Sequence, residues 1–224
     1  MSSKVKKKIL KLKESSTLVI NEKSKKLISE GKKVFQFGFG QSPFPVPEKI
    51  VEKLRQNAHR KEYLPIQGLP ELRSKISKYL FNRTGNNYPI ENILITPGSK
   101  EAMLLIHLAF NGEIIIPAPG WVSYEPQAEI GSNKVHWLET SRSNNWFPTS
   151  IELEKKIKSI GKNKNLILIL NSPNNPSGAV CNNLEKLAKV AKKNKILVLS
   201  DEIYSDLTFS NEYNSISKYY PELT

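Results

Sequence analysis

Three short polar segments of this chain can do chemistry, and each follows an apolar run. Pro97-Gly98-Ser99-Lys100 comes after "ILIT", "NSPNNPSG" (171–178) after "LILIL", and Asp201-Glu202-Ile203-Tyr204 after "KILVLS". A Gly-Ser pair that opens a helix points free backbone N–H groups outward, and the helix dipole favours an anion there. Gly98, Ser99 and Lys100 are thus a candidate phosphate seat, with Ser99 as an ordinary N-cap the plainer alternative. Asp201 ends a nearly continuous apolar run, so its carboxylate is expected to be partly desolvated and to need a cationic or N–H partner. A ligand or one of the many lysines can supply it. "PAPGWVSY" (117–124) follows a fourth run. Trp121 there can lie flat against a planar ligand or fill the core. In "NSPNNPSG" the prolines and glycine make a turn, and the asparagines allow a binding edge as well.

Strands and helices in a fixed rhythm have to position these segments. From Asn92 the pattern predicts strand "NILIT", helix "GSKEAMLLIHLAF", strand "EIIIPA", helix "SYEPQAEIG" and strand "KVHWLE". Helix "SIELEKKIKSIG", strand "NLILIL", helix "NNLEKLAKVAKKN" and strand "KILVLS" follow. Five strands alternating with helices predict an α/β fold, a mostly parallel sheet with helices on both faces. Right-handed crossovers put the strand ends on one edge, where ligands of open parallel sheets collect. Upstream, helices are expected over "STLVINEKSKKLISEG", over "PEKIVEKLRQNAHR" with Pro47 at N1, and over "LPELRSKISKYLFNRTG" ending at Gly85. "VFQFGFGQSPFPVP" reads as an extended loop, and the first thirteen residues, with six lysines, as frayed or loosely helical.

Composition narrows the classes. The chain has 224 residues, is 38% apolar, and carries no stretch long and apolar enough for a membrane span or a signal peptide. No membrane partner is expected. A net charge of +13 raises nucleic acid as a partner, but 29 lysines spread along the chain against five arginines do not make a reading surface. No nucleic-acid partner is expected. A single cysteine, Cys181, excludes an internal disulfide and a thiolate zinc cluster, in keeping with a cytoplasmic compartment. His59, His107 and His136 are scattered without carboxylates at metal spacing, so no metal site is expected. His107, in "LLIHLAF", reads as a satisfied core histidine, and Cys181 as a small packing residue at a helix start.

Taken together the motifs resemble the class I/II aminotransferases, which are fold-type-I pyridoxal-phosphate enzymes. "NSPNNPSG" is similar to that family's Asn-Pro-Thr-Gly signature with Ser177 in place of threonine, and "SDEIYSDL" to its Asp-Glu-x-Tyr signature. "TPGSKEAM" resembles its phosphate-binding turn and "PAPGWVSY" its ring-stacking loop. "FGFGQSPFPVP" resembles its amino-terminal substrate loop, with the proline one place late at Pro43, and "YLPIQGLPELR" the segment that crosses the dimer. The resemblance runs from about Phe35 to about Tyr204; the order of six motifs makes it specific. It implies pyridoxal 5′-phosphate as cofactor, with Asp201 on the ring nitrogen and Asn175 and Tyr204 on the ring's phenolic oxygen. It further implies Trp121 on the ring face and Gly98, Ser99 and Lys100 at the phosphate. Tyr63 would reach the phosphate bound in a neighbouring subunit, hence a homodimer. Gly40 and Asn175 would meet the substrate, an amino acid or a 2-oxo acid. Residues 1–45 would be an amino-terminal arm with part of a small domain, and 46–224 an incomplete large domain.

The same resemblance implies a lysine that forms the Schiff base with the cofactor and shuttles the substrate's proton, roughly thirty residues past the signature tyrosine. That position falls beyond Thr224. Lys218 stands only fourteen residues after Tyr204, and Lys100 belongs to the phosphate end. These 224 residues alone are therefore expected to be catalytically incompetent or nearly so. A carbon–sulfur lyase of the same fold and a non-catalytic remnant are the alternatives.

Overall fold

The computed structural model describes residues 4–12, 14–38, 40, 42–161, 163–209 and 213–224. Phe39 and Gln41 of the expected substrate loop lie outside them. The chain divides into two units, residues 12–65 and residues 1–11 with 66–224.

The unit of 12–65 contains helix α2 (Ser16–Ser29) and helix α3 (Glu48–Asn57); the described residues between them form neither helix nor strand. Pro47 is the N-cap of α3 rather than its first helical residue. No residue of α3 is buried, although Ile50 and Leu54 stand one turn apart on it.

The larger unit begins with the short helix α1 (Lys7–Leu10) and resumes with α4 (Pro70–Thr84). Pro70 opens α4, and Gly85, in the left-handed region at φ 78°, closes it. Then come α5 (Ser99–Ala109), β1 (Glu113–Ala118), α6 (Tyr124–Gly131), β2 (Val135–Glu139), α7 (Ser150–Ile160), β3 (Leu166–Asn171), α8 (Leu184–Lys193) and β4 (Leu197–Asp201). Thr149 and Glu152 form a reciprocal capping box at the start of α7.

The four strands are parallel and ordered β2-β1-β3-β4. Alternation along them divides the core in two. Ile115, Leu168, Leu170 and Val198 face Leu153 and Ile157 of α7 and Leu187 and Ala191 of α8. Ile114, Ile116, Ile167 and Ile169 face Met103 of α5 and Tyr124 and Ala128 of α6. Helices therefore cover both faces, which is why the strands read as continuous apolar runs.

The expected fifth strand, "NILIT", is not one. Ile93 is extended, but residues 93–96 belong to no strand; Ile95 N–H donates to Gln67 O at 2.9 Å. The β-branched residues set the backbone conformation, and a ladder needs a neighbour as well.

Candidate functional site

β3 and β4 run in register to their last residues, with Asn171 opposite Asp201. Asn171 ties the two ends together: its Nδ2 donates to Asp201 O at 2.9 Å, and its Oδ1 accepts from Asn175 N at 2.7 Å. The following turn divides its work among three asparagines. Asn174 Oδ1 accepts from Ser177 N and Oγ, and Asn174 O accepts from Gly178 N, which closes the turn on itself. Asn175 is thereby left to reach outward, and its Nδ2 donates to the Tyr204 hydroxyl at 3.2 Å.

Asp201 is 8% exposed. Its Oδ2 accepts a 2.6 Å hydrogen bond from the Tyr124 hydroxyl and its Oδ1 a longer one, 3.3 Å, from Ile203 N. Among the described residues it has no salt-bridge partner. Burial first, and then the Asp201 carboxylate, push the Tyr124 hydroxyl far above the ordinary phenol range, so it remains a donor. The Tyr124 ring meets that of Trp121 edge-to-face, centroids 5.5 Å apart at 81°. The loop that carries Tyr204 is held from outside the site. Asp206 pairs with Arg83 of α4 at 2.5 Å, and Glu202 accepts from Ser200 and Ser215 at 2.7 and 2.6 Å.

The start of α5 corrects one expectation. Gly98, not Ser99, is the N-cap, at φ 89°, and no side chain caps the helix; Ser99 is its first residue and is exposed. The first-turn N–H groups remain available, as an anion seat requires. The Lys100 ammonium lies 5.3 Å from the centroid of the Trp121 ring.

A cavity of about 100 Å³ joins these pieces, lined by Ser99, Trp121, Tyr124, Asn175, Asp201 and Tyr204, with Asn171 and Ile203 completing it. Of the residues singled out in the sequence, Ser99, Trp121, Asn175, Asp201 and Tyr204 thus converge, with Gly98 and Lys100 flanking Ser99. Gly40 and Tyr63 belong to the other unit, where both are exposed. Lys218 is exposed, donates to Asn214 Oδ1 at 2.9 Å, and does not line the cavity.

Tyr124 and Asn171 escaped the sequence reading. The signal for Tyr124 was its place three residues after Trp121, one turn on. The signal for Asn171 was its place as the last residue of an apolar strand. His107 is fully buried in the core beside Asn133; among the described residues its ring nitrogens meet no partner at strict hydrogen-bond geometry, and burial lowers its basicity. Cys181 packs in the core before α8, as expected.

A parallel α/β sheet whose strand ends gather a buried carboxylate, an amide–phenol pair, an indole and an uncapped helix start is a ligand-binding domain of the open-sheet class. Known proteins identify the family. The sequence model for aminotransferase class I and II matches residues 32–223, and the chain belongs to that family. It is 34% identical over 209 residues to an aspartate aminotransferase of Thermotoga maritima, covering 90% of this chain and 54% of that protein. It is 32% identical to an aspartate aminotransferase of Geobacillus stearothermophilus, covering 98% and 57%. An aspartate aminotransferase from Thermus thermophilus with maleate superposes with a TM-score of 0.90 at 28% identity, over 99% of this chain and 59% of that one. An alanine aminotransferase from Pyrococcus furiosus gives 0.86 at 26%, over 96% and 56%. The chain spans about half the length of the curated relatives it matches.

Members of the family depend on pyridoxal 5′-phosphate. The donor set fits that group on this chain's own terms. Asp201 is a buried carboxylate whose partners among the described residues are neutral donors, the Asn175–Tyr204 pair offers N–H and O–H groups, and α5 offers free amides. Among the described residues no helix is long and apolar enough to cross a membrane, and no cluster of metal ligands occurs.

Proposed function

We propose that this chain binds pyridoxal 5′-phosphate along the carboxyl rim of its sheet and serves amino-group transfer between an amino acid and a 2-oxo acid. The observation that carries the reading is the convergence of three strand ends and the start of α5 on one cavity around a buried aspartate that has no salt-bridge partner among the described residues. When bound, the cofactor supplies an electron-withdrawing ring that stabilises negative charge at the substrate's alpha carbon.

Each protein group then has a task. Asp201 holds a proton on the ring nitrogen by charge complementarity, which maximises that withdrawal. Asn175 and Tyr204, already in contact with each other, donate to the ring's phenolic oxygen. Trp121 offers its face to the ring. Gly98, Ser99 and Lys100 supply amides, a hydroxyl and a positive charge for the phosphate. Asn175 contacts the substrate at the cavity, and Gly40, in the other unit, suits close approach of a carboxylate to its backbone. Tyr63, wholly exposed in its own unit, suits a phosphate held by a second copy, hence a homodimer working in the cytoplasm.

Among the described residues no lysine lines the cavity, and about 100 Å³ is small for a ligand pocket. Both facts favour a site completed by another polypeptide segment. We therefore propose that residues 1–224 by themselves bind but do not turn over substrate.

Titration with pyridoxamine 5′-phosphate tests the binding reading. This probe carries no aldehyde, so it does not react with the 29 lysines. One site per chain is expected, weakened at least tenfold in Asp201→Ala. Equal affinity for the two proteins would overturn the assignment. Incubation with aspartate and 2-oxoglutarate is expected to yield no new amino acid from these residues alone.

A further inference from the structure

We infer that Tyr124 is the positioning residue for Asp201, holding the carboxylate so that its negative charge faces the cavity and keeps a bound pyridine nitrogen protonated. The inference deepens the pyridoxal-phosphate reading and rests on it.

An aspartate at the end of a strand has several open rotamers. The backbone alone holds this one weakly, through the 3.3 Å contact from Ile203 N. The short contact is the one from Tyr124, 2.6 Å, in the range of a hydroxyl donating to an ionised carboxylate. Tyr124 is itself immobilised. It is 1% exposed, packed with Met103 and Ala128 against the sheet, and its backbone N–H donates to Trp121 O at 3.1 Å. One turn of chain therefore sets both the ring-stacking indole and the orientation of the acid.

The type of donor matters as much as its place. A lysine or arginine at this distance would neutralise Asp201 and compete with a pyridinium for it. A phenol orients the carboxylate and leaves the charge uncompensated. Burial and the neighbouring carboxylate hold the phenol protonated, so the direction of the hydrogen bond cannot reverse. A buried carboxylate with neutral donors and no cation attracts a ligand that brings an N–H⁺.

The test uses pyridoxamine 5′-phosphate labelled with 15N in the ring, bound to this chain and to two variants. In the unaltered protein the ring nitrogen is expected to stay protonated to a higher pH than in free ligand. Asp201→Asn should abolish that shift. Tyr124→Phe, which removes one oxygen, should lower the nitrogen's midpoint by about one pH unit and weaken binding about tenfold, with the ligand's 31P resonance unmoved. A structural lesion would move both resonances. If Asp201→Asn loses the shift and Tyr124→Phe matches the unaltered protein, the role of Tyr124 is refuted and the site assignment stands. If Asp201→Asn keeps the shift, the site assignment itself fails and takes the inference with it. Should Tyr124→Phe not fold, the ligand-free chain gives a second readout. The Tyr124 hydroxyl proton should appear far downfield, protected from exchange, and move upfield in Asp201→Asn; a proton indifferent to that change refutes the coupling.

Discussion

The two units differ in whether they enclose large apolar and aromatic side chains: no described residue of 12–65 is buried, whereas residues 66–224 hold a core and leave others, such as Phe81 and Phe209, exposed. In residues 66–224, Tyr124, Phe147 and Tyr220 are buried and the strands contribute fully enclosed isoleucines and leucines. In residues 12–65, Phe37 is 93% exposed, Phe44 and Tyr63 stand out equally, and α3 buries nothing. The ladder and its two helical layers preorganise the residues at the strand ends, so Asp201, Asn175 and Tyr204 sit in hydrogen-bonded positions already. Gly40 and Tyr63 lack such support within their unit. Their proposed roles require a surface supplied from outside it, and the exposure of Phe37, Phe44 and Tyr63 suits one.

Four substitutions, in two pairs, probe that contrast, the pair with the largest effect first. Leu187→Ala, at a fully buried position where α8 meets the sheet, should destabilise by about 2–5 kcal/mol. Leu54→Ala in α3 should stay within about 0.5 kcal/mol. Denaturant melts read both, and comparable losses would erase the distinction. Gly98→Ala forces a side chain into the left-handed region at φ 89° and should cost about 1 kcal/mol, whereas Gly40→Ala, with open space around it, should leave the melt unchanged. The smallest effect concerns Cys181, whose thiol burial pushes up to about 11. The folded state holds that proton more tightly than the unfolded chain. The contribution is complete below about pH 9 and is lost as pH rises towards 11. At pH 8 iodoacetamide should modify Cys181 only as fast as the protein unfolds; rapid labelling of the native chain would show that this core is open.

Most of the sheet was legible because a strand covered on both faces leaves an unbroken apolar run, as "LILIL" and "KILVLS" do. "NILIT" carries the same signal and stands without a ladder, since composition reports backbone preference and not the presence of a neighbour. The site was legible where a residue's own chemistry advertises it, as with Asp201 and Trp121. It was hidden where a residue acts through another. Tyr124 looks like any core tyrosine until its hydroxyl is seen on Asp201. Ser99 looked like a cap, and only the backbone of Gly98 shows that the cap position falls one residue earlier and leaves the amides free.

A crystal structure of the chain soaked with pyridoxamine 5′-phosphate tests the central claim most directly. The account predicts the ring nitrogen within hydrogen-bonding distance of Asp201, the ring against Trp121 and the phosphate on the first turn of α5. A ligand seated away from the strand ends, or turned so that its phosphate faces Asp201, would contradict it.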